Sequence, residues 1–195
     1  YEIISMGPPS SGGTLLVNML NMIENFNLDT IGWNSSDYIH LLTEIERRAY
    51  ADRSEHMGDP DFWSVPTEML ISKNYAKNRV KDISLKIASK SDDVFPGSPY
   101  KKESTETTHY SIIDKSGNAI SVTTTLNTNF GSGIVVRRAG FFLNNEMDDF
   151  VSKPGVPNYY GLVGNLANAI ESSKRPLSSM TPTIVTRNGS PFIIL

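Results

Sequence analysis

The chain contains no cysteine and only three histidines, His40, His56 and His109, spread through 195 residues. That removes thiolate catalysis, disulfides and Cys-based metal sites together, and disfavours a histidine metal cluster. Hydroxyls remain as nucleophiles, and a hydroxyl is weak at neutral pH unless a base is set against it. Cutting a chain immediately before a Ser or Thr supplies such a base. The freed α-amine, with a reference pKa of roughly 7.7–8.0, then sits on the nucleophile's own residue. Thr107 and Thr108 stand where this chemistry needs them. Before them lies a charged segment at 91–106 containing Pro96, Gly97 and Pro99; after them comes a β-branched run. Exposed segments of that composition are where chains are most readily cut. The same Thr-Thr pair also suits the plain start of a strand.

Three other constellations could carry chemistry. Asn144, Asn145, Glu146, Asp148 and Asp149 lie between Phe141-Phe142-Leu143 and Phe150, a polar cluster beside apolar residues. Carboxylates so placed suit an ammonium group or a hard cation, although the spacing is not that of an EF-hand loop. A solvated turn has the same composition. Ser178 and Ser179 lie between Pro176 and Pro182, where adjacent hydroxyls and backbone amides in a fixed turn suit a carboxylate; Ser is also a common turn residue. The run PPSSGGT at 8–14 resembles an anion-binding helix start, but it lacks the Walker lysine and reads equally as a helix cap. His109, just beyond the Thr pair, suits a packed or hydrogen-bonded role.

The elements that must position these residues change along the chain. Residues 1–106 hold 11 Lys/Arg against 16 Asp/Glu, and residues 107–195 hold 7 against 5. The first part is predicted to be mainly helical. One helix follows Ser10 or Ser11 and carries Leu15, Leu16, Met19, Leu20, Met22, Ile23 and Phe26 at helical spacing. A second is predicted over 36–53, with Leu41, Leu42, Ile45 and Ala49 on one face and Glu44, Glu46, Arg47 and Arg48 on the other. Shorter helices are predicted over 67–75 and 78–88. The second part turns to strands, 108–113 and 119–126 around Asp114-Lys115-Ser116-Gly117-Asn118, then 183–187 and 191–195 around Asn188-Gly189. The Gly- and Asn-rich stretch at 127–182 is longer than a connection requires, which is common where loops are functional.

The net charge of -3 and pI near 5.6 argue against nucleic acid as a partner. No apolar run approaches the ~20 residues needed to span a bilayer. The absence of an initiator Met and the apolar end at Phe192-Ile193-Ile194-Leu195 suggest an internal piece of a longer protein.

Taken in order, PPSSGGT (8–14), ESTETTHYS (103–111), GNAISV (117–122), TLN (125–127), LNNEMDDF (143–150), KPGVPN (153–158) and RPLSSMTP (175–182) resemble the γ-glutamyltranspeptidase family. The resemblance runs through nearly the whole chain. It implies an α+β fold of the N-terminal-nucleophile hydrolase type, a four-layer αββα sandwich of which this chain is a part. It implies a precursor cut between Glu106 and Thr107, so that 1–106 ends a large subunit and 107–195 begins a small one, the two forming one interdigitated heterodimer. Thr107 is then the nucleophile, its α-amine the general base, and Thr125 a hydroxyl bonded to the nucleophile's oxygen. Asn127, Glu146 and Asp149 hold a substrate's α-amino end, Ser178 and Ser179 its α-carboxylate, and Tyr160 belongs to a lid loop. The implied substrates are glutathione and other γ-glutamyl compounds, with water, amino acids or dipeptides as acceptors and no cofactor or metal. Location in the periplasm or outside the cell follows from the resemblance alone. An arginine for the carboxylate and a Gly-Gly oxyanion hole are expected outside this chain, and Gly164-Asn165-Leu166 departs from the Gly-Gly-x of the family. A glutaryl-cleaving acylase on the same scaffold and a non-catalytic γ-glutamyl-binding relative are the alternatives.

Overall fold

The structure, a computed structural model, describes residues 1–90, 93–94, 107–156 and 164–195. The segment read as a linker therefore lies almost wholly outside the described residues, as do Glu106 and Tyr160. Helices α1 (Gly12–Ile23) and α3 (Ser36–His56) form where the apolar spacing predicts them. Three short helices, α2 (Leu28–Ile31), α4 (Thr67–Leu70) and α5 (Lys73–Arg79), complete the helical part. Leu15 and Met22 of α1 pack on Leu41, Ile45 and Ala49 of α3, with Met57, Leu70 and Ala76 closing the cluster. Each large apolar side chain buried this way contributes roughly 1.5–3 kcal/mol, which is what holds the two long helices together.

Two readings of α3 and its surroundings need correction. Glu44 and Arg48, assigned by spacing to a polar face, are fully buried. They pair with each other at 2.6 Å, and Arg48 reaches on to Asp82. Burial pushes the Glu44 carboxyl up, but bonds from Ser89 and Arg48 and the charge of Arg47 outweigh it and bring the group down to about 2. The helix predicted over 78–88 ends instead at Arg79. Beyond it the chain is tied to side chains of α3: Ser89 donates its backbone N–H to Glu44, Arg47 donates to the Ser89 carbonyl, and His40 bonds the Ser84 carbonyl. Those long-range bonds replace the i to i−4 ladder, which no local propensity can reveal.

Strands β2 (Thr107–Ile113) and β3 (Ala119–Thr125) form the first predicted hairpin. In its turn the Asp114 carboxylate accepts from the backbone of Ser116 and Asn118. Strands β4 (Thr183–Arg187) and β5 (Ser190–Ile194) form the second, with Asn188 and Gly189 both at positive φ as a tight hairpin turn requires. Strand β1 (Glu2–Ser5), which no sequence pattern predicts, pairs antiparallel with β4, so the three-stranded order is β1-β4-β5. One sheet thus joins residues from both sides of 106/107. Strand β2 is exposed at every residue. The described residues of 127–156 and 164–182 are largely irregular, holding single turns at Glu146–Asp149 and Leu166–Asn168. The chain is α+β. No helix of the described residues is long and apolar enough to cross a membrane.

Candidate active site

A cleft of about 270 Å³ opens where the start of β2, the end of β3, the C-terminal part of α3 and the loops at 149–156 and 177–181 meet. Thr107, Thr125, Asn127, Asp149, Ser178 and Ser179 all line it. Six residues singled out from sequence, scattered over more than seventy positions, therefore share one cavity. Glu146 does not line the cleft but hydrogen-bonds Asp149, which does. Tyr160 and Glu106 lie outside the described residues. His109 is exposed rather than packed, and its ring bonds the hydroxyls of Thr123 (2.8 Å) and Ser111 (3.2 Å).

Thr107 and Thr125 are register partners across the hairpin, which puts the expected nucleophile and its companion hydroxyl on adjacent strands facing one cleft. Just past Thr125 the chain turns sharply. Asn127 has φ 76 and donates its backbone N–H to the Thr125 hydroxyl at 2.9 Å. Asn tolerates that left-handed conformation better than most residues. The Asn127 amide donates to the Asn145 carbonyl, and the Asn145 side chain accepts from the Thr128 backbone. These bonds stitch the acidic loop to the hairpin, so the turn at 144–149 is fixed rather than merely solvated. Within it, burial foremost, then the hydrogen bond and charge of Glu146, push the Asp149 carboxyl up to about 8, against the opposing charge of Arg53. A carboxyl raised in this way beside a cleft is matched to an ammonium group that would replace its proton.

At the opposite end, the run at 8–14 proves to be a cradle for the serine loop. Ser11 is the N-cap of α1, yet its side chain makes no capping bond. Its hydroxyl donates instead to the Ser178 carbonyl at 2.9 Å, beside its own backbone N–H at 2.8 Å. Ser10 donates to the Met180 carbonyl. A Cβ at Gly12 would stand 2.2 Å from the Thr181 hydroxyl and 2.7 Å from the Met180 carbonyl. Gly12→Ala is therefore expected to push the serine loop outward and to destabilise the full-length protein by about 1–3 kcal/mol, the usual cost of overpacking. Thermal unfolding against wild type reads this, and an unchanged midpoint would mean the loop yields freely.

Three residues that sequence reasoning does not single out complete the frame. The buried Asn168 donates to the Asp149 carbonyl (2.7 Å) and accepts from the Leu177 backbone (3.0 Å), linking the acidic and serine ends of the cleft. Asp59, fully buried, accepts from the backbone and guanidinium of Arg175, which opens the serine loop. Those bonds from Arg175 hold its carboxyl far below the usual carboxylate range, with burial opposing. The stability this pair gives is thus present at neutral pH and is lost only in strong acid, as pH falls through that lowered value. Arg53, buried at the end of α3, donates to the Ser11 hydroxyl and the Ser179 hydroxyl, both at 3.0 Å. Only the run Asp59-Pro60-Asp61 and the position of Arg53 at a helix end mark these residues locally, and neither signal points at a cleft. Among the described residues no group of three or more His, Cys, Asp or Glu side chains is gathered as a metal ion would require.

An α+β chain with a threonine at the first position of a strand that opens onto a cleft has the arrangement an N-terminal-nucleophile hydrolase needs. The family model described as "Gamma-glutamyltranspeptidase" matches residues 1–195. The chain belongs to the γ-glutamyltranspeptidase family. It is 52% identical over 194 residues to the glutathione hydrolase proenzyme of Escherichia coli, covering 100% of this chain and 33% of that protein. It is 51% identical over 189 residues to the glutathione hydrolase proenzyme of Pseudomonas aeruginosa, covering 96% and 33%. Among solved structures, a cephalosporin acylase from Bacillus halodurans aligns at TM-score 0.74 and 24% identity, over 98% of this chain and 31% of that one, which bears on the fold alone. The chain spans about a third of the length of the curated relatives it matches.

Proposed function

We propose that this chain is the central part of a glutathione hydrolase that cleaves γ-glutamyl amides and matures by a cut between Glu106 and Thr107. The observation that carries this reading is the polarity of the cleft. Thr107, Asp149, Ser178 and Ser179 line the same cleft, and Glu146 hydrogen-bonds Asp149. A γ-glutamyl group is a zwitterion on a short tether, with an ammonium and a carboxylate on one carbon and the scissile amide at the far end of the chain. A cleft that offers carboxyls to the ammonium, serine donors to the carboxylate and a hydroxyl nucleophile to the amide is its complement.

In the proposed reaction the Thr107 α-amine takes the hydroxyl proton as the oxygen attacks the amide carbon. The C–N bond breaks, and the amine leaves with that proton. A γ-glutamyl ester on Thr107 remains. Water or the amine of an amino acid or dipeptide then attacks the ester, returning the hydroxyl to Thr107. Thr125, held by the Asn127 backbone, orients the nucleophile. The two products of the maturation cut, ending at Glu106 and beginning at Thr107, would remain joined as a heterodimer through the sheet that β1 and β4 share. Proteins of this reaction class act on extracellular or periplasmic γ-glutamyl compounds, and that location is part of the proposal.

A glutaryl-cleaving acylase is the alternative, but glutaryl has no ammonium to set against Asp149 and Glu146. N-terminal sequencing of the smaller piece of the full-length protein is expected to read Thr-Thr-His-Tyr-Ser. Any other start, or an uncut chain that still turns over γ-glutamyl-p-nitroanilide, would reject Thr107 as nucleophile.

A further inference from the structure

Arg53 is 8% exposed, and within the described residues it forms no salt bridge. Buried guanidinium groups are ordinarily paired with carboxylates. Here the two groups it bonds are neutral hydroxyls, Ser11 and Ser179, and it lines the same cleft as Thr107. A guanidinium only donates, so each of these hydroxyls must accept from it. Ser179 therefore keeps its own hydroxyl proton free to give to a ligand in the cleft. The Ser178 carbonyl is meanwhile held by Ser11, whose hydroxyl the same guanidinium fixes. One side chain thus holds both serines of the loop, Ser179 directly and Ser178 through Ser11. It also brings to the cleft a positive charge that no salt bridge among the described residues takes up, although Asp149 feels it.

We propose that Arg53 is a positioning residue that sets specificity for the substrate's α-carboxylate, holding Ser179 where it donates to that group and adding its charge to that of the arginine expected outside this chain. The proposal rests on the γ-glutamyl reading above. It assigns a role in substrate binding to a residue of the large-subunit side, far in sequence from Ser179.

The test uses the full-length, matured protein and three p-nitroanilides. γ-Glutamyl carries both charged groups, glutaryl only the carboxylate, and 4-aminobutyryl only the ammonium. Arg53→Met is expected to raise KM about 10- to 100-fold for the γ-glutamyl and glutaryl compounds. kcat should change little, and kcat/KM for the 4-aminobutyryl compound should stay within about 3-fold of wild type. Arg53→Lys keeps the charge but cannot bridge both serines, so it should recover part of the loss on the first two substrates. An equal loss on all three substrates would make Arg53 a merely structural residue and overturn the proposal, as would no loss on any. Failure of both variants to mature would assign Arg53 to folding and overturn the proposal as well. Wild-type protein that hydrolyses no γ-glutamyl compound would instead overturn the functional reading itself, and the proposal with it.

Discussion

Thr107→Ala in the full-length protein is expected to leave an uncut precursor with no measurable turnover of γ-glutamyl-p-nitroanilide. The substitution removes the proposed nucleophile and, with the cut proposed to need that hydroxyl, also prevents the α-amine from being freed. Loss of a nucleophile and its base together typically costs about 10⁴-fold or more. Thr107→Ser keeps the hydroxyl, so it should still mature and still turn over. Its oxygen should be less well fixed, because it lacks the methyl group that limits χ1 in a β-branched residue. A single denaturing gel separates the outcomes. Two bands for Thr107→Ala would place the cut under some other residue's control and sink the assignment.

Asp149→Asn is expected to raise KM for γ-glutamyl-p-nitroanilide by about 30-fold or more, the equivalent of at least ~2 kcal/mol for one partner of a buried charge pair. Maturation should proceed, and hydrolysis of glutaryl-p-nitroanilide should change little, since that substrate brings no ammonium. Equal losses on both would make Asp149 structural. The same residue gives a pH signature. Its carboxyl, raised by burial and by Glu146, holds a proton below about pH 8. Binding an ammonium there then requires that proton to leave. The ratio of γ-glutamyl to glutaryl kcat/KM should therefore climb as pH rises from 6 to 8 and level off above. Titration of the Thr107 α-amine affects both substrates alike and cancels in the ratio. In Asp149→Asn the ratio should be flat with pH, and a slope surviving there would assign the effect to another group.

Much of the frame can be read from local pattern because local forces make it. Helices α1 and α3 follow from apolar residues at helical spacing, and both hairpins from turn residues whose backbone conformation few others adopt. The helix predicted over 78–88 fails because the side chains of Glu44, Arg47 and His40 on α3 take the backbone groups a helix would have used. Strand β1 escapes prediction since four residues, Glu2 to Ser5, give too short an alternation to stand out. In the site, Thr107, Asp149 and the serine pair are legible because each lies within a short run of unusual composition. Arg53, Asp59 and Asn168 are not. Each acts through a partner remote in sequence (Ser179, Arg175 and Asp149 respectively), and nothing adjacent to it records that partner.

Arg53 and Ser11 reach Ser179 and Ser178 from the other side of the proposed cut, and Asp59 reaches Arg175 likewise. If the chain is severed there, affinity for the carboxylate becomes a property of the assembled pair rather than of either piece. Binding and assembly are then linked equilibria, and linkage is reciprocal. Whatever factor the upstream piece adds to ligand affinity, saturating ligand returns as tighter association of the two pieces. Dilution would accordingly weaken ligand affinity as the pieces part, although Thr107 and its amine lie wholly on one of them, and an excess of glutamate would hold the dimer together at concentrations where the empty enzyme falls apart.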